Sequence, residues 1–123
     1  MKRLLTLFCV GAFLIVPIRA HARFWDGNYL VAKMRASERV SAGTSTNIGA
    51  DQVDAGMFLG FVVGVADTGE ALVGDKFYAL PENPTAGQLC AVVSKYLKEH
   101  PEKWTRPAAW LVLDALTEAF PAK

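Results

Sequence analysis

Few side chains in this sequence have the capacity for covalent chemistry. It holds two cysteines and two histidines in 123 residues, and only Cys90 and His100 lie beyond the apolar N-terminal stretch. A cysteine–histidine nucleophile pair needs hydrogen-bond contact between the two side chains. Because Cys90 and His100 are ten positions apart, one continuous helix would separate them by about 15 Å. The spacing therefore disfavours such a pair.

The sequence also lacks the residues that other kinds of catalytic, metal or phosphate-binding site require. A serine triad would have to use His100 beside a proline, and a zinc site needs three or four ligands where one cysteine and one histidine are available. The carboxylate pairs Asp51/Asp54 and Asp67/Glu70 are interpreted as solvated helix ends. No phosphate-binding glycine loop is present. We expect no enzyme activity, no metal and no cofactor.

The N-terminus carries the pattern of a secretory signal peptide. Lys2 and Arg3 precede an apolar run over residues 4–18, and Ala20-His21-Ala22 has the small residues of a cleavage site. The alternative is an uncleaved anchor, but the run is shorter than the ~20 residues that span a bilayer. The sequence therefore predicts residues 1–22 as a cleaved signal peptide and residues 23–123 as one mature domain.

Charge restricts the partners of that mature domain. The whole chain has 13 basic and 12 acidic residues, and cleavage would remove Lys2, Arg3 and Arg19. The mature domain would then carry a net charge of −2. This charge balance disfavours nucleic-acid binding. We expect no membrane contact after the signal peptide has been cleaved.

Periodicity and capping residues predict an all-α, compact four-helix domain. The first helix is expected over about residues 28–38 and the second over about 51–72. The third begins at the capping box of Thr85 and Gln88, and the fourth begins near Thr105 or Arg106 with Pro107 in its first turn. A long polar loop is expected over Ser41–Gly49, and a short extended segment over Lys76–Leu80.

The second and fourth helices carry the main apolar patterns. The second has no charge from Ala55 to Ala66, so it is predicted to be a core helix, and its glycines at i+4 spacing predict close approach of another helix. The fourth has an inner stripe with Trp110 and Leu111 outside it, so a second apolar face suggests a protein contact, most simply a homodimer. The patterned residues are Phe58, Phe61, Val62, Val65, Gly56, Gly60 and Gly64 in the second helix, and Ala109, Val112, Leu113, Leu116 and Phe120 in the fourth.

Three segments, in this order and spacing, resemble the Rap/Tai family of immunity proteins. They are residues 58–67 (FLGFVVGVAD), residues 80–89 (LPENPTAGQL), and residues 92–101 leading into 115–121 (ALTEAFP). The residues Asp26–Leu30 fit the start of that domain. The likeness covers most of the mature chain.

The resemblance implies a small exported helical protein of Gram-negative bacteria. Such proteins bind a peptidoglycan amidase effector of the type VI secretion system in the periplasm and occlude its active site, commonly as homodimers. The family commonly has intrachain disulfides, whereas this mature chain has Cys90 alone. Cys90 is interpreted as a buried thiol, with an intermolecular disulfide as the alternative.

Partner-binding residues are expected on two segments and one helix face. The segments are the loop Ser41–Gly49 and the stretch Asp67–Glu82, and the face is that of Trp110. The residues assigned to them are Thr44, Ser45, Asn47, Asp67, Glu70, Asp75, Lys76, Tyr78 and Trp110.

Without the family resemblance, the residues alone also allow a second class of function. An exposed apolar helix face also suits a general periplasmic helical binder, either an acid-stress chaperone-like dimer or a carrier of small apolar ligands. Aggregation suppression of unrelated clients would distinguish this binder from an amidase inhibitor.

Overall fold

The computed structural model describes residues 24–123, and the predicted signal peptide, residues 1–22, lies outside them. Within this range the fold is all-α. Its four helices are α1 (Gly27–Ala42), α2 (Ile48–Val73), α3 (Ala86–Glu99) and α4 (Ala108–Ala119), with short 3-10 turns at Gly74–Lys76 and Pro101–Lys103. The prediction of a four-helix all-α fold is confirmed.

The loop between α1 and α2 is shorter than predicted. The Asp26 side chain caps α1, and the helix continues to Ala42 because Gly43 adopts the left-handed conformation (φ 67°) and closes its last turn. Asn47 then caps α2 through the backbone N–H of Ala50. The expected loop Ser41–Gly49 is therefore reduced to residues 43–47, because both ends of that run are helical.

The later helix starts follow their local sequence signals. Thr85 and Gln88 form the predicted capping box at the start of α3. Pro107 is the N-cap of α4 rather than part of its first turn. Between these helices His100 caps the C-terminus of α3, and its backbone N–H donates to the Tyr96 carbonyl.

The segment predicted as extended is mostly a turn. A 3-10 turn covers Gly74–Lys76, and only an isolated bridge between Tyr78 and Pro121 follows it. The Ala79 N–H donates to the Phe120 carbonyl at 2.9 Å. One bridge thus ties this segment to the end of α4 without making a sheet.

The core lies where all four helices meet. Its buried residues include Leu30, Met34, Phe58, Val62, Tyr78, Val93, Leu97, Leu111, Val112 and Leu116. The α2 stripe is confirmed, since Phe58 and Val62 are buried and Phe61 and Val65 pack against the core.

The predicted inner stripe of α4 is rotated relative to the observed one. Leu111 is fully buried although it was expected off the stripe, whereas Ala109 is exposed and Leu113 half-buried. The Gly27 N–H donates to the Arg106 carbonyl at 2.9 Å, which fixes the start of α4 beside the start of α1. Leu111 fills the space that Gly27 leaves by having no side chain.

Two ion pairs join α1 to the first half of α2. Arg39 donates to both carboxylate oxygens of Asp51, at 2.9 and 2.6 Å, and Lys33 donates to Asp54 at 2.7 Å. The Arg39 guanidinium lowers the pKa of Asp51 from 3.8 to about 2. The interpretation of Asp51 and Asp54 as merely solvated is therefore wrong, because their partners come from another helix.

The glycines of α2 do not pack against another helix within the described residues. A Cβ built at Gly56, Gly60 or Gly64 would meet no atom within 4 Å, so the close approach predicted for this glycine face (Gly56, Gly60 and Gly64) is not made inside the chain. The stretch Ile48–Lys76 is long and apolar enough to cross a membrane by length and composition alone, with 17% of its most apolar window buried. The core-helix prediction therefore holds for one face of α2.

Tyr78 anchors the second half of α2. It is fully buried, and its hydroxyl donates to the Ala66 carbonyl at 3.0 Å. The ring lies over Gly69, where an added Cβ would overlap the hydroxyl oxygen. Gly69 is thus required by close packing, unlike the glycines of the glycine face.

Replacing Asp51 tests the ion pair with Arg39. The folded-state pKa, about 2, lies below the ordinary 3.8, so the stabilisation is complete above pH ~4 and is lost as pH falls towards 2. We expect Asp51→Asn to lower the free energy of unfolding at pH 7, and the gap from wild type to close by pH 2. Urea denaturation across this pH range measures the gap. Glu82→Gln, at an exposed carboxylate, controls for the lost charge, and a gap independent of pH would contradict the assignment.

Two glycine substitutions on α2 should change the free energy of unfolding in opposite directions. Gly49→Ala should raise the free energy of unfolding by up to ~1 kcal/mol, because it meets open space and improves helix propensity. Gly69→Ala should lower it by ~1–3 kcal/mol through overpacking against Tyr78. Adding Tyr78→Phe to Gly69→Ala should recover part of that loss. Equal effects of the two alanines in thermal or urea unfolding would refute the packing described for Tyr78.

Candidate partner-binding surface

An open apolar depression runs beside the second half of α2. It has a volume of about 1060 Å³ and lies between α2 and the outer face of α4. Its lining includes Gly60, Phe61, Gly64, Val65, Leu72, Val73, Phe77, Trp110 and Leu113. Three of these are large and exposed, since Trp110 is 54%, Phe77 60% and Leu72 78% accessible. Such a cluster of exposed apolar side chains is typical of a protein-binding surface.

The far edge of this large depression is polar and internally paired. Lys103 donates to the Tyr96 hydroxyl at 2.8 Å, and Arg106 donates to Asp114 at 2.6 Å. Glu118 on the same edge lies 4.0 Å from the His100 ring. These contacts fix the side chains along α4 that border the apolar floor.

Trp110 is exposed, and its role in partner binding stays a prediction. It projects from α4 on the side away from the core, and it lines the large depression together with Gly60 and Gly64 of the glycine face. The structure thus brings Trp110 to the same surface as Leu72 and Phe77. Sequence reasoning missed these last two residues as binding candidates, although Phe77 lies inside the segment that it selected.

Residues of the loop that is predicted to bind a partner cap the two helices that it joins. Asn47 is exposed, but its side chain caps α2, while Ser45 is half-buried and Thr44 is exposed. The Thr44 N–H donates to the Arg39 carbonyl at 3.0 Å. The 26 residues of α2 put this loop about 40 Å from the other end of the helix. The two predicted segments therefore cannot form one continuous site.

The other predicted segment is exposed except at one position. Asp67, Glu70, Asp75 and Lys76 all face solvent around the C-terminal end of α2. Tyr78, in contrast, is 2% exposed, so its assignment as a partner-binding residue is wrong. Its aromatic ring fills the core because the bridge to Pro121 turns it inward.

A second, smaller depression lies at the same end of the molecule. It has a volume of about 660 Å³ and is lined by Glu70, Ala79, Leu80, Pro81, Glu82, Asn83, Pro84, Phe120 and Lys123. Glu70 thus borders this small depression, and Leu72, two residues later on α2, borders the large one. The C-terminal end of α2 lies between the two.

The reactive side chains of α3 are not arranged as a catalytic pair. Cys90 is half-buried in the first turns, and burial raises the pKa of its thiol, which leaves it a poor nucleophile. His100 lies at the other end of α3, with its Nδ1 3.1 Å from a Glu102 oxygen and its ring stacked at 4.4 Å from Tyr96. Among the described residues no group of three potential metal ligands comes together.

Comparison with known proteins identifies the family. The model of the Rap1a immunity proteins matches residues 26–122, which is nearly all of the chain that the structure describes. No curated protein and no solved structure matches the chain. The match begins at the residue that caps α1 and ends beyond α4, so it includes all four helices of the described residues and the whole lining of the large depression. The chain therefore belongs to the Rap1a family of immunity proteins.

Proposed function

We propose that this protein is a periplasmic inhibitor of a peptidoglycan amidase that is delivered by a type VI secretion system. Family membership makes the chain an immunity protein that binds an effector, and this match carries the proposal. The amidase as target and the periplasm as compartment come from the motif resemblance and from the signal-peptide pattern of residues 1–22.

Inhibition in this proposal is steric. The protein holds the amidase through exposed apolar side chains and covers the entrance to its active site, so it needs no catalytic group of its own. Leu72, Phe77 and Trp110 are suitable anchors, because large apolar or aromatic side chains supply much of the energy at protein interfaces. All three border the large depression.

We also propose that the protein is a homodimer through the glycine face. Val53, Met57 and Leu59 are exposed on the same helix, and no charge lies between Asp54 and Asp67. Gly56, Gly60 and Gly64 leave room for a second backbone to approach. A second copy would cover apolar surface that the four helices of one chain leave in water.

A general periplasmic binder is the alternative that this same exposed apolar surface favours. That protein would suppress aggregation of unrelated clients and would show no preference for one effector. A toxicity assay with one defined amidase separates the two functions, since only a dedicated immunity protein rescues cells from it.

Co-expression in the periplasm tests the proposed function. Export of an active amidase effector encoded beside this gene should lyse the cells, and co-expression of the full chain should prevent lysis. Deleting residues 1–22 should abolish rescue, because the inhibitor would then stay in the cytoplasm. An amidase without its nucleophile controls for secretion stress, and continued lysis with both proteins present and folded would contradict the proposal.

Blocking the glycine face tests the homodimer. We expect the exported protein to have twice the chain mass by light scattering and Gly60→Leu to have the mass of one chain. The leucine meets open space within the chain, so the fold itself should tolerate it. Gly49→Leu, near the start of α2 and equally open, should stay dimeric. A monomeric wild type, or a dimeric Gly60→Leu variant, would refute this interface.

A further inference from the structure

The large depression continues the side of α2 that α1 covers. Lys33 of α1 binds Asp54 of α2 at 2.7 Å. Trp25, earlier in the chain, stacks on Phe61, later in α2, with ring centroids 4.7 Å apart and planes 8° apart. The two helices therefore run antiparallel, and the N-terminal end of α1 points towards the C-terminal end of α2.

The described chain begins at the edge of the large depression. Phe61, on which Trp25 stacks, belongs to its lining. The Trp25 carbonyl accepts from the Ala108 N–H at 3.0 Å, and the next two residues of α4, Ala109 and Trp110, also line the depression. The start of the described chain thus lies between the two helices that wall this depression.

The apolar run of the predicted signal peptide is close to this point in the sequence. The run covers residues 4–18, and residues 19–23 join it to the described chain. Five residues span at most about 17 Å when extended and about 8 Å as a helix. From Phe61 to Val73, both in the lining, α2 extends about 18 Å. The end of the run is therefore within reach of the depression.

The end of the run and the depression have matching chemistry. Residues 14–18 (LIVPI) carry no charge and no polar side chain. In the depression Leu72, Phe77 and Trp110 are each more than half exposed. Contact between the two would remove apolar surface of both from water, which is favourable.

We propose that in the uncleaved precursor the end of the apolar run, residues 14–18, occupies the large depression and blocks it. Cleavage after Ala22 removes this segment and opens the surface. The effect of this block on effector binding rests on the proposed function: the precursor in the cytoplasm does not bind the effector, and the exported chain does.

The covalent link favours this occupant over a separate molecule. A segment joined to its site by a short linker has an effective concentration on the order of millimolar. A second copy, an effector or a small apolar ligand would have to exceed that concentration, or bind correspondingly more tightly, to displace it. Once cleavage breaks the link, this advantage is lost.

Photo-cross-linking in the full chain tests the occupancy. Cell-free synthesis without membranes yields a chain that keeps residues 1–22, and Ile15 is replaced by benzoylphenylalanine. Illumination should join position 15 to the second half of α2 or to α4 within one chain, as mapped by mass spectrometry of the monomer.

A pair of exposed positions on α2 provides a matched control for the cross-link. Leu72→Asp should reduce it at least ~5-fold, because it places a charge where an apolar segment would cover it. Val53→Asp makes the same kind of change outside the depression and should leave the yield unchanged. Both variants should fold like wild type, since Leu72 is 78% and Val53 63% exposed.

Binding of the purified amidase effector tests the block. The full chain should bind at least ~10-fold more weakly than the processed chain, because only the fraction with an open depression is competent. Leu14→Asp/Ile15→Asp in the full chain should restore the affinity. Leu4→Asp/Leu5→Asp makes the same change of charge at the start of the run, ten residues farther from the described chain, and should stay blocked.

The outcomes separate this inference from the proposed function. Cross-links to the depression within one chain, together with weak binding that the Leu14/Ile15 variant reverses, support the inference. No cross-link, cross-links elsewhere or only between chains, or equal effector binding by the full and processed chains overturns it and leaves the function standing. If the processed chain does not bind the amidase, the proposed function fails, and cross-linking alone decides the occupancy.

Discussion

The length of α2 is the constraint on which the rest of this molecule depends. Its 26 residues extend about 40 Å, whereas α1 with 16 residues and α4 with 12 reach about 24 and 18 Å. The shorter helices cannot cover such a rod on all sides. One face of α2 therefore forms the core with Phe58 and Val62, another stays in water, and its two ends are too far apart to belong to one site.

Stabilising contacts are concentrated in the first half of this helix, and exposed apolar and acidic side chains in its second half. Its first half has a capping asparagine and carboxylates that bind Arg39 and Lys33, and these features stabilise the fold. Its second half has carboxylates at the unfavourable helix end and large apolar side chains in water. In a marginally stable domain, unfavourable residues concentrated in one region are a signature of a binding surface rather than of packing.

Local features were predictable from the sequence, and the relative placement of helices was not. The capping box of Thr85 and Gln88 was identified because its parts are three residues apart. The stripe of α4 was misplaced because periodicity gives the angles between residues but not the rotation of the helix, which the contact of Leu111 with Gly27 sets. Asp51 and Tyr78 were misread for the same reason, since Arg39 and Pro121 are distant in sequence. The exposure of Trp110 was predictable because its side of α4 is opposite the core.

The anchoring of Tyr78 affects how quickly the binding surface could diversify. The ring is locked by the Ala66 carbonyl and by Gly69, and the next residue is tied to Phe120. The three residues before this anchor, Asp75, Lys76 and Phe77, are exposed, whereas Leu80 after it packs against the core. Substitutions at Asp75 or Phe77 would then change the exposed surface while the scaffold is retained. Because the buried anchor and the exposed residues are separate, the exposed residues of an immunity protein could change along with its toxin without loss of the fold. The rigid anchor also leaves this segment little conformational entropy to lose on binding.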